Sequence, residues 1–136
     1  MVIITSILIE ETQRIKYTAK LFGNNFPMIL EPAIYTFAER LSVNYQGGYW
    51  NFHELGNDGF YMAPDDREPF LVISDNGFEG IMSADAFGIT ACLYAYSHLS
   101  FTDDPNLAES CARQYHLLRE FMFDHAEIKT ILAATD

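Results

Sequence analysis

Positive charge is what this sequence has least of. Eight Lys and Arg stand against 19 Asp and Glu, for a formal net charge of −11. A surface of that sign repels phosphate, so ordinary nucleic-acid binding and attachment to anionic membrane are both disfavoured. Cysteine is scarcer still. Cys92 and Cys111 are the whole complement, too few for a disulfide-built secreted scaffold. No apolar run reaches membrane-spanning length. The longest uncharged stretch, residues 86–102, includes Thr90, Ser97, His98 and Ser100. It falls short of the roughly 20 strongly apolar residues a span requires, and reads as a buried core helix. Met1 to Ile9 is apolar but has no basic flank and runs directly into Glu10 and Glu11. That pattern is unlike a signal peptide, so the cytoplasm is the expected compartment.

What the chain does have is the material of a core. Of 136 residues, 49% are hydrophobic and 15% aromatic, which excludes disorder. The length suits a single domain burying roughly two-thirds of its unfolded surface. Repeats, low-complexity segments and linkers are absent from the sequence.

Residues 1–25 carry the weakest local pattern. Ile3 to Ile9 fits a strand or a short helix equally well, and Gly23-Asn24-Asn25 with Pro27 marks a loop. Residues 31–45 then show an amphipathic helix, with Pro32 in its first turn and Ile34, Phe37, Ala38, Leu41 and Tyr45 on one stripe. Tyr49 to Leu55 alternates, placing Trp50 and Phe52 opposite Asn51 and His53. Gly56-Asn57-Asp58-Gly59 predicts a hairpin returning through Phe60 to Met62, stopped by Pro64. A polar turn at residues 65–68 leads to a strand over residues 70–73, and Asp75-Asn76-Gly77 to another over residues 78–82. Ser83 suits a helix cap before the nearly all-apolar residues 84–99, with Asp85 in the first turn. Asp104-Pro105 opens a further helix carrying Leu107, Cys111, Tyr115, Leu118 and Met122 on one stripe, and residues 125–134 predict a short last helix. The expected fold is α+β: a single compact domain over residues 1–136, with an antiparallel meander of three to four short strands packed with about four helices.

A search for chemistry returns little. Cys92, His98, Cys111 and His116 are metal-ligand types, but at about 100° per helical residue neither Cys–His pair shares a face, and CxxC and HExxH are missing. Both cysteines fall in apolar helical positions, where a thiol is inert. Neither a GxSxG elbow nor a phosphate-binding glycine loop is present. No catalytic residue, metal or cofactor is therefore expected. The remaining signal is a concentration of carboxylates over residues 54–85, with only Arg67 among them. It reads as an acidic face, with Asp58, Asp65, Asp66, Glu79 and Asp85 as the candidate interaction residues. Duplex DNA carries a charge about every 1.7 Å along its axis, so even 19 aligned carboxylates match only about ten base pairs. Extended imitation of DNA is strained on that count, whereas a local acidic contact is not.

Several blocks in order then become familiar: Glu31-Pro32-Ala33-Ile34-Tyr35, Tyr45-Gln46-Gly47-Gly48-Tyr49-Trp50-Asn51-Phe52, and Gly59-Phe60-Tyr61-Met62-Ala63-Pro64-Asp65. Asn76-Gly77-Phe78-Glu79-Gly80, Met82-Ser83-Ala84-Asp85-Ala86, Gly88-Ile89, Tyr96-Ser97-His98-Leu99-Ser100, Tyr115-His116-Leu117-Leu118-Arg119-Glu120 and the final Ala133-Ala134-Thr135-Asp136 follow. Over residues 31–136 the chain resembles the antirestriction proteins of the ArdB/KlcA type, carried by plasmids and other mobile elements. Two positions depart from that pattern: Ile81 stands where relatives tend to be acidic, and Phe87 where they tend to be small. The resemblance implies a compact α+β domain without known cofactor or reaction. It also implies relief of cleavage by host type I restriction–modification enzymes, with methylation largely untouched. The expected partner is that complex or a factor controlling it, met by a non-catalytic protein contact without direct nucleic-acid binding. A DNA mimic occupying a DNA-binding groove and a small carboxylate-dependent hydrolase are the alternatives.

Overall fold

The least charged part of the sequence becomes the centre of the structure. The computed structural model describes residues 3–136, so Met1 and Val2 of the apolar N-terminal segment lie outside the described residues. In chain order the elements are β1 (Ser6–Leu8), α1 (Arg14–Phe22), α2 (Glu31–Leu41), β2 (Trp50–Leu55), β3 (Phe60–Pro64), β4 (Phe70–Ile73), β5 (Glu79–Met82), α3 (Ala84–Leu99), α4 (Pro105–Met122) and α5 (Ile128–Thr135). Helix α3 is buried on nearly every face and packs against α2, α4, α5 and β3. Ser83 caps it by accepting from the Ala86 N–H, and Asp104 caps α4 by accepting from Asn106 and Leu107. Both caps satisfy amides that a helix start otherwise leaves open.

The strands form two antiparallel sheets, β1-β2-β3 and β4-β5. The expected strands are all present, but they do not make one continuous meander, and the reason lies at the outer edge of β3. There the Met62 N–H meets Cys92 Sγ at 3.5 Å, Cys92 donates back to the Met62 carbonyl, and the Tyr96 hydroxyl donates to the Phe60 carbonyl at 2.8 Å. Side chains of α3 thus occupy the backbone groups that another strand would need. Gly88, Cys92 and Tyr96 recur every four residues and so share one helical face. At Gly88 the helix backbone lies against the strand: a Cβ there would stand 2.5 Å from the Met62 carbonyl oxygen and closer still to Ala63 Cα and Cβ. Pro64 ends the strand, and residues 65–68 carry the chain away to the second sheet.

The aromatic and asparagine positions of the hairpins are structural. Trp50 Nε1–H donates to the Tyr45 hydroxyl at 3.1 Å. Phe52, Phe60 and Phe26 meet edge to face in the core. Asn57 donates to the Leu117 carbonyl, fastening the β2–β3 turn to α4. Asn76 donates to the carbonyls of Ala133 and Asp136, fastening the β4–β5 turn to the end of α5. Phe87, one of the two departures, is fully buried and stacks on Phe70 at 4.5 Å.

Two local expectations need correcting. The helix expected to run to Tyr45 ends at Leu41, where Ser42 turns extended. Tyr45 still reaches the core, from the following loop. The loop expected around Pro27 is confined to Gly23 and Asn24, because Phe26–Leu30 winds as a π-helical segment directly into α2 and buries Phe26 and Leu30. Residues 1–25, the weakest region in pattern, contain β1, a 3-10 turn and α1. Strand β1 pairs with β2 in the register Ser6 to Leu55 and Leu8 to His53.

Gly88→Ala tests the close approach of α3 to β3. Overpacking a seam with no free volume is expected to cost about 3 kcal/mol. A urea midpoint within error of the parent protein's would show that the seam has room.

Candidate functional site

The five carboxylates singled out in the sequence do not share one face. Asp65 and Asp66 leave the end of β3, while Asp58 lies in the turn before its start. Strand rise places the two ends about 20 Å apart. Asp58 takes a positive φ of 72°, and its carbonyl accepts from Gln114 on α4. Glu79 is exposed on the second sheet, opposite Ile73. It shares the solvent face of β5 with Ile81, the other departure, which is 66% exposed. Lys20 and Arg113 come near Asp58 and Glu54 around one cavity, so the acidic stretch is partly offset by cations from distant parts of the chain.

Among the described residues the carboxylates of Asp58, Asp65 and Glu79 make no hydrogen bond, and that of Asp66 makes one, local to its own turn. The Asp65 N–H closes the sheet end by donating to the Tyr49 carbonyl at 2.8 Å, and Asp66 Oδ1 accepts from the Glu68 N–H at 2.9 Å. Beside them run Gly47 and Gly48, whose φ values of 86° and 113° favour glycine, and the half-exposed Tyr49. Arg14 braces this edge from α1. Its guanidinium lies over the rings of Tyr49 and Phe52 and donates to the Tyr49 hydroxyl at 2.7 Å. The outcome is an acidic edge of Asp65, Asp66 and Glu68, with Arg67 among them, on the exposed segment that leaves β3.

Asp85 has a different role. One carboxylate oxygen accepts from the Tyr61 hydroxyl at 2.7 Å, and the other meets His125 Nε2 at 2.8 Å. The Glu127 backbone N–H can only donate, and it points at His125 Nδ1 at 3.0 Å. That contact assigns the neutral tautomer with hydrogen on Nε2, directed to Asp85. Glu127 in turn accepts from the Ser83 N–H and hydroxyl. The start of α3, β3 and the approach to α5 are tied by this network. Asp85 is half-buried. Burial works against its charge, but the bonds from His125 and Tyr61 outweigh that and hold its carboxyl below its ordinary 3.8. Burial, with Asp85 beside it, keeps the Tyr61 hydroxyl protonated. His53 stacks on Tyr61 at 4.6 Å. Burial takes it below its ordinary 6.5, reinforced by Arg14 and opposed by Asp85.

Sequence reasoning missed this network because Tyr61 stands more than 20 residues before Asp85, and His125 and Glu127 some 40 residues after it. The only local signal was Asp85 at a helix start, which the dipole already explained.

The network does not make a hydrolytic centre. Both nitrogens of His125 are engaged, so neither is free to take a proton from a nucleophile. The Ser83 hydroxyl is committed to Glu127 and the Ala86 amide. Burial pushes the Cys92 and Cys111 thiols up to about 12, where little nucleophilic thiolate exists. Among the described residues no group of three His, Cys, Asp or Glu is placed to hold a metal, and no helix is long and apolar enough to cross a membrane.

Comparison with known proteins agrees with the geometry. A family model described as antirestriction protein matches residues 43–136. The antirestriction protein KlcA of Escherichia coli is 36% identical, over 98% of this chain and 95% of its own length. The uncharacterized protein YafX of Escherichia coli strain K12 is 35% identical, over 94% and 85%. A solved structure superposes with a TM-score of 0.90 at 37% identity, covering 98% of this chain and 95% of that one. It comes from work describing the KlcA and ArdB proteins as a novel fold with antirestriction activity against type I DNA restriction systems in vivo but not in vitro.

The network predicts two steps in stability against pH. As pH falls below 6.5, the unfolded chain protonates residue 53 before the folded protein does, so stability declines in that window and is fully present above it. The Asp85 contribution is complete above 3.8 and is lost as pH falls through its lower folded value. Urea midpoints across pH should show His53→Gln flattening the first decline and Asp85→Asn the second. A His53→Gln protein declining as steeply as its parent would remove residue 53 from the account.

Proposed function

This chain belongs to the antirestriction protein family, and from that premise we propose that it relieves restriction by a host type I restriction–modification system through protein contact. The observation that carries the reading is the acidic edge at the end of β3. Asp65 and Asp66 are exposed just beyond the buried strand β3. The Asp65 carboxylate has no work inside the fold. Loops set on rigid scaffolds are where binding residues concentrate, and fixed carboxylates select a basic partner surface. The engaged nitrogens of His125 and the high thiol pKa values favour a non-catalytic mode over a carboxylate-dependent hydrolase.

The partner in this reading is the restriction complex or a factor controlling it, met in the cytoplasm without nucleic-acid binding. Relatives described as active in vivo but not in vitro favour a target, or an accessory component, that the cell supplies. Occupation of a DNA groove is the weaker reading. It needs carboxylates in a row at phosphate spacing, whereas Asp58, Asp65 and Glu79 are dispersed over two sheets.

The test is the plating efficiency of unmodified phage on cells carrying a type I system, with and without the protein. A large rise is expected. Asp65→Asn combined with Asp66→Asn should reduce the relief about tenfold or more, the effect of losing two charged contacts, with thermal stability unchanged. Glu79→Gln, on the other sheet, tests whether the contact extends that far. Full relief by the Asp65–Asp66 variant would place the contact elsewhere. No relief by the parent protein, with soluble protein present, would overturn the reading for that restriction system.

A further inference from the structure

The scarce cations are not spread evenly. Three of the eight, Lys16, Lys20 and Arg113, line two adjoining cavities of about 350 and 500 Å³ that share Tyr17, Lys20 and Glu54. Three carboxylates, Glu10, Glu54 and Asp58, line the same pair. Charge therefore balances here, and the whole −11 falls on the rest of the molecule. The smaller cavity brings together groups from four places: Tyr17 and Lys20 on α1, Glu54 on β2, Asp58 in the β2–β3 turn, and Ser110 and Arg113 on α4.

The charged groups here, Lys20, Glu54, Asp58 and Arg113, are exposed to solvent. Among the described residues, the side chains of Tyr17, Lys20, Glu54, Asp58, Ser110 and Arg113 make no hydrogen bond with one another or with the rest of the fold. The two cations and two carboxylates also form no ion pair within 4.0 Å. They nevertheless feel one another, since the Tyr17 hydroxyl is pushed up to about 12 by burial and then by Glu54 and Asp58. It stays a hydrogen-bond donor at any ordinary pH. Lys20, Arg113, Glu54 and Asp58 hang from four different places in the fold. Gln114 fixes the wall by donating from its buried amide to the Asp58 carbonyl at 3.2 Å, which leaves its own oxygen without a partner.

A cavity of this kind selects by charge. A plain anion meets two carboxylates, and a plain cation meets Lys20 and Arg113. A molecule carrying both charges a few ångströms apart engages each set favourably. Charged hydrogen bonds in a partly enclosed site are the strong ones.

We propose that this cavity binds a small zwitterion of the amino-acid class, its ammonium against Glu54 and Asp58 and its carboxylate against Lys20 and Arg113, with the Tyr17 and Ser110 hydroxyls completing the contacts. The site is separate from the acidic edge at the other end of β3, and it does not depend on how the protein meets a restriction system.

The test is a titration of the purified full-length protein followed by backbone amide NMR. The probes are free L-glutamine, L-glutamate and L-lysine, each beside its N-acetylated and its carboxamide form. At least one free amino acid should saturate, moving the amides of Leu21, Asp58, Ser110 and Gln114. Either capped form should bind about tenfold or more weakly, the effect of deleting one charged set of hydrogen bonds. Lys20→Gln and Glu54→Gln, both at exposed positions, should each weaken binding similarly while leaving the rest of the spectrum in place. Any of three results overturns the proposal: no saturation by any free amino acid up to about 10 mM, equal binding of capped forms, or affinity unchanged in both variants.

Discussion

The structure depends on one seam, where α3 lies along the outer edge of β3. A strand edge exposes unpaired amides and carbonyls that must be covered or hydrated. Here Cys92 and Tyr96 supply the partners, and Gly88 lets the helix backbone come near enough for them to reach. Closing that edge settles the topology. β3 has no room for β4, so the chain makes a second hairpin, and each hairpin must be fastened separately. Asn57 does this for the first through α4, and Asn76 for the second through the end of α5. The helix that seals the edge is buried on nearly all its faces, so α2, α4 and α5 find their apolar partner in it.

With the core so occupied, polar chemistry is confined to its margins. The Tyr61–Asp85–His125 network stands where β3, α3 and the approach to α5 converge, and every atom in it that could perform proton transfer is already bonded. The acidic edge of Asp65 and Asp66 and the mixed-charge cavity around Lys20 and Glu54 stand at opposite ends of β3.

Much of this was legible from residue types. Gly56 to Gly59, the Ser83 cap, Asp104-Pro105 and the apolar run of residues 84–99 each carry a local mechanism, and each formed as the mechanism requires. Residues 3–9 and 26–30 were not legible, because a short apolar run fits strand and helix alike and a π-helical turn has no periodicity of its own. The split into two sheets was hidden for another reason. It follows from three α3 residues meeting a strand about 30 residues earlier in the chain, and the four-residue spacing of Gly88, Cys92 and Tyr96 looks like ordinary core until β3 is beside it. The same distance in sequence concealed the partners of Asp85, and it concealed the cations that offset Asp58 and Glu54. A charge sum along the chain is not a map of a surface.

Native-state hydrogen exchange tests the central place of the α3–β3 seam most directly. The amides of β3 and of α3 between Gly88 and Tyr96 should exchange only through global unfolding, with one shared free energy that tracks denaturant. Those of β1 and α1, at the margin of the sheet, should open locally and faster. Exchange from α3 or β3 at the rate found in α1 would contradict the account, because the seam would then be a contact within the fold and not what holds it.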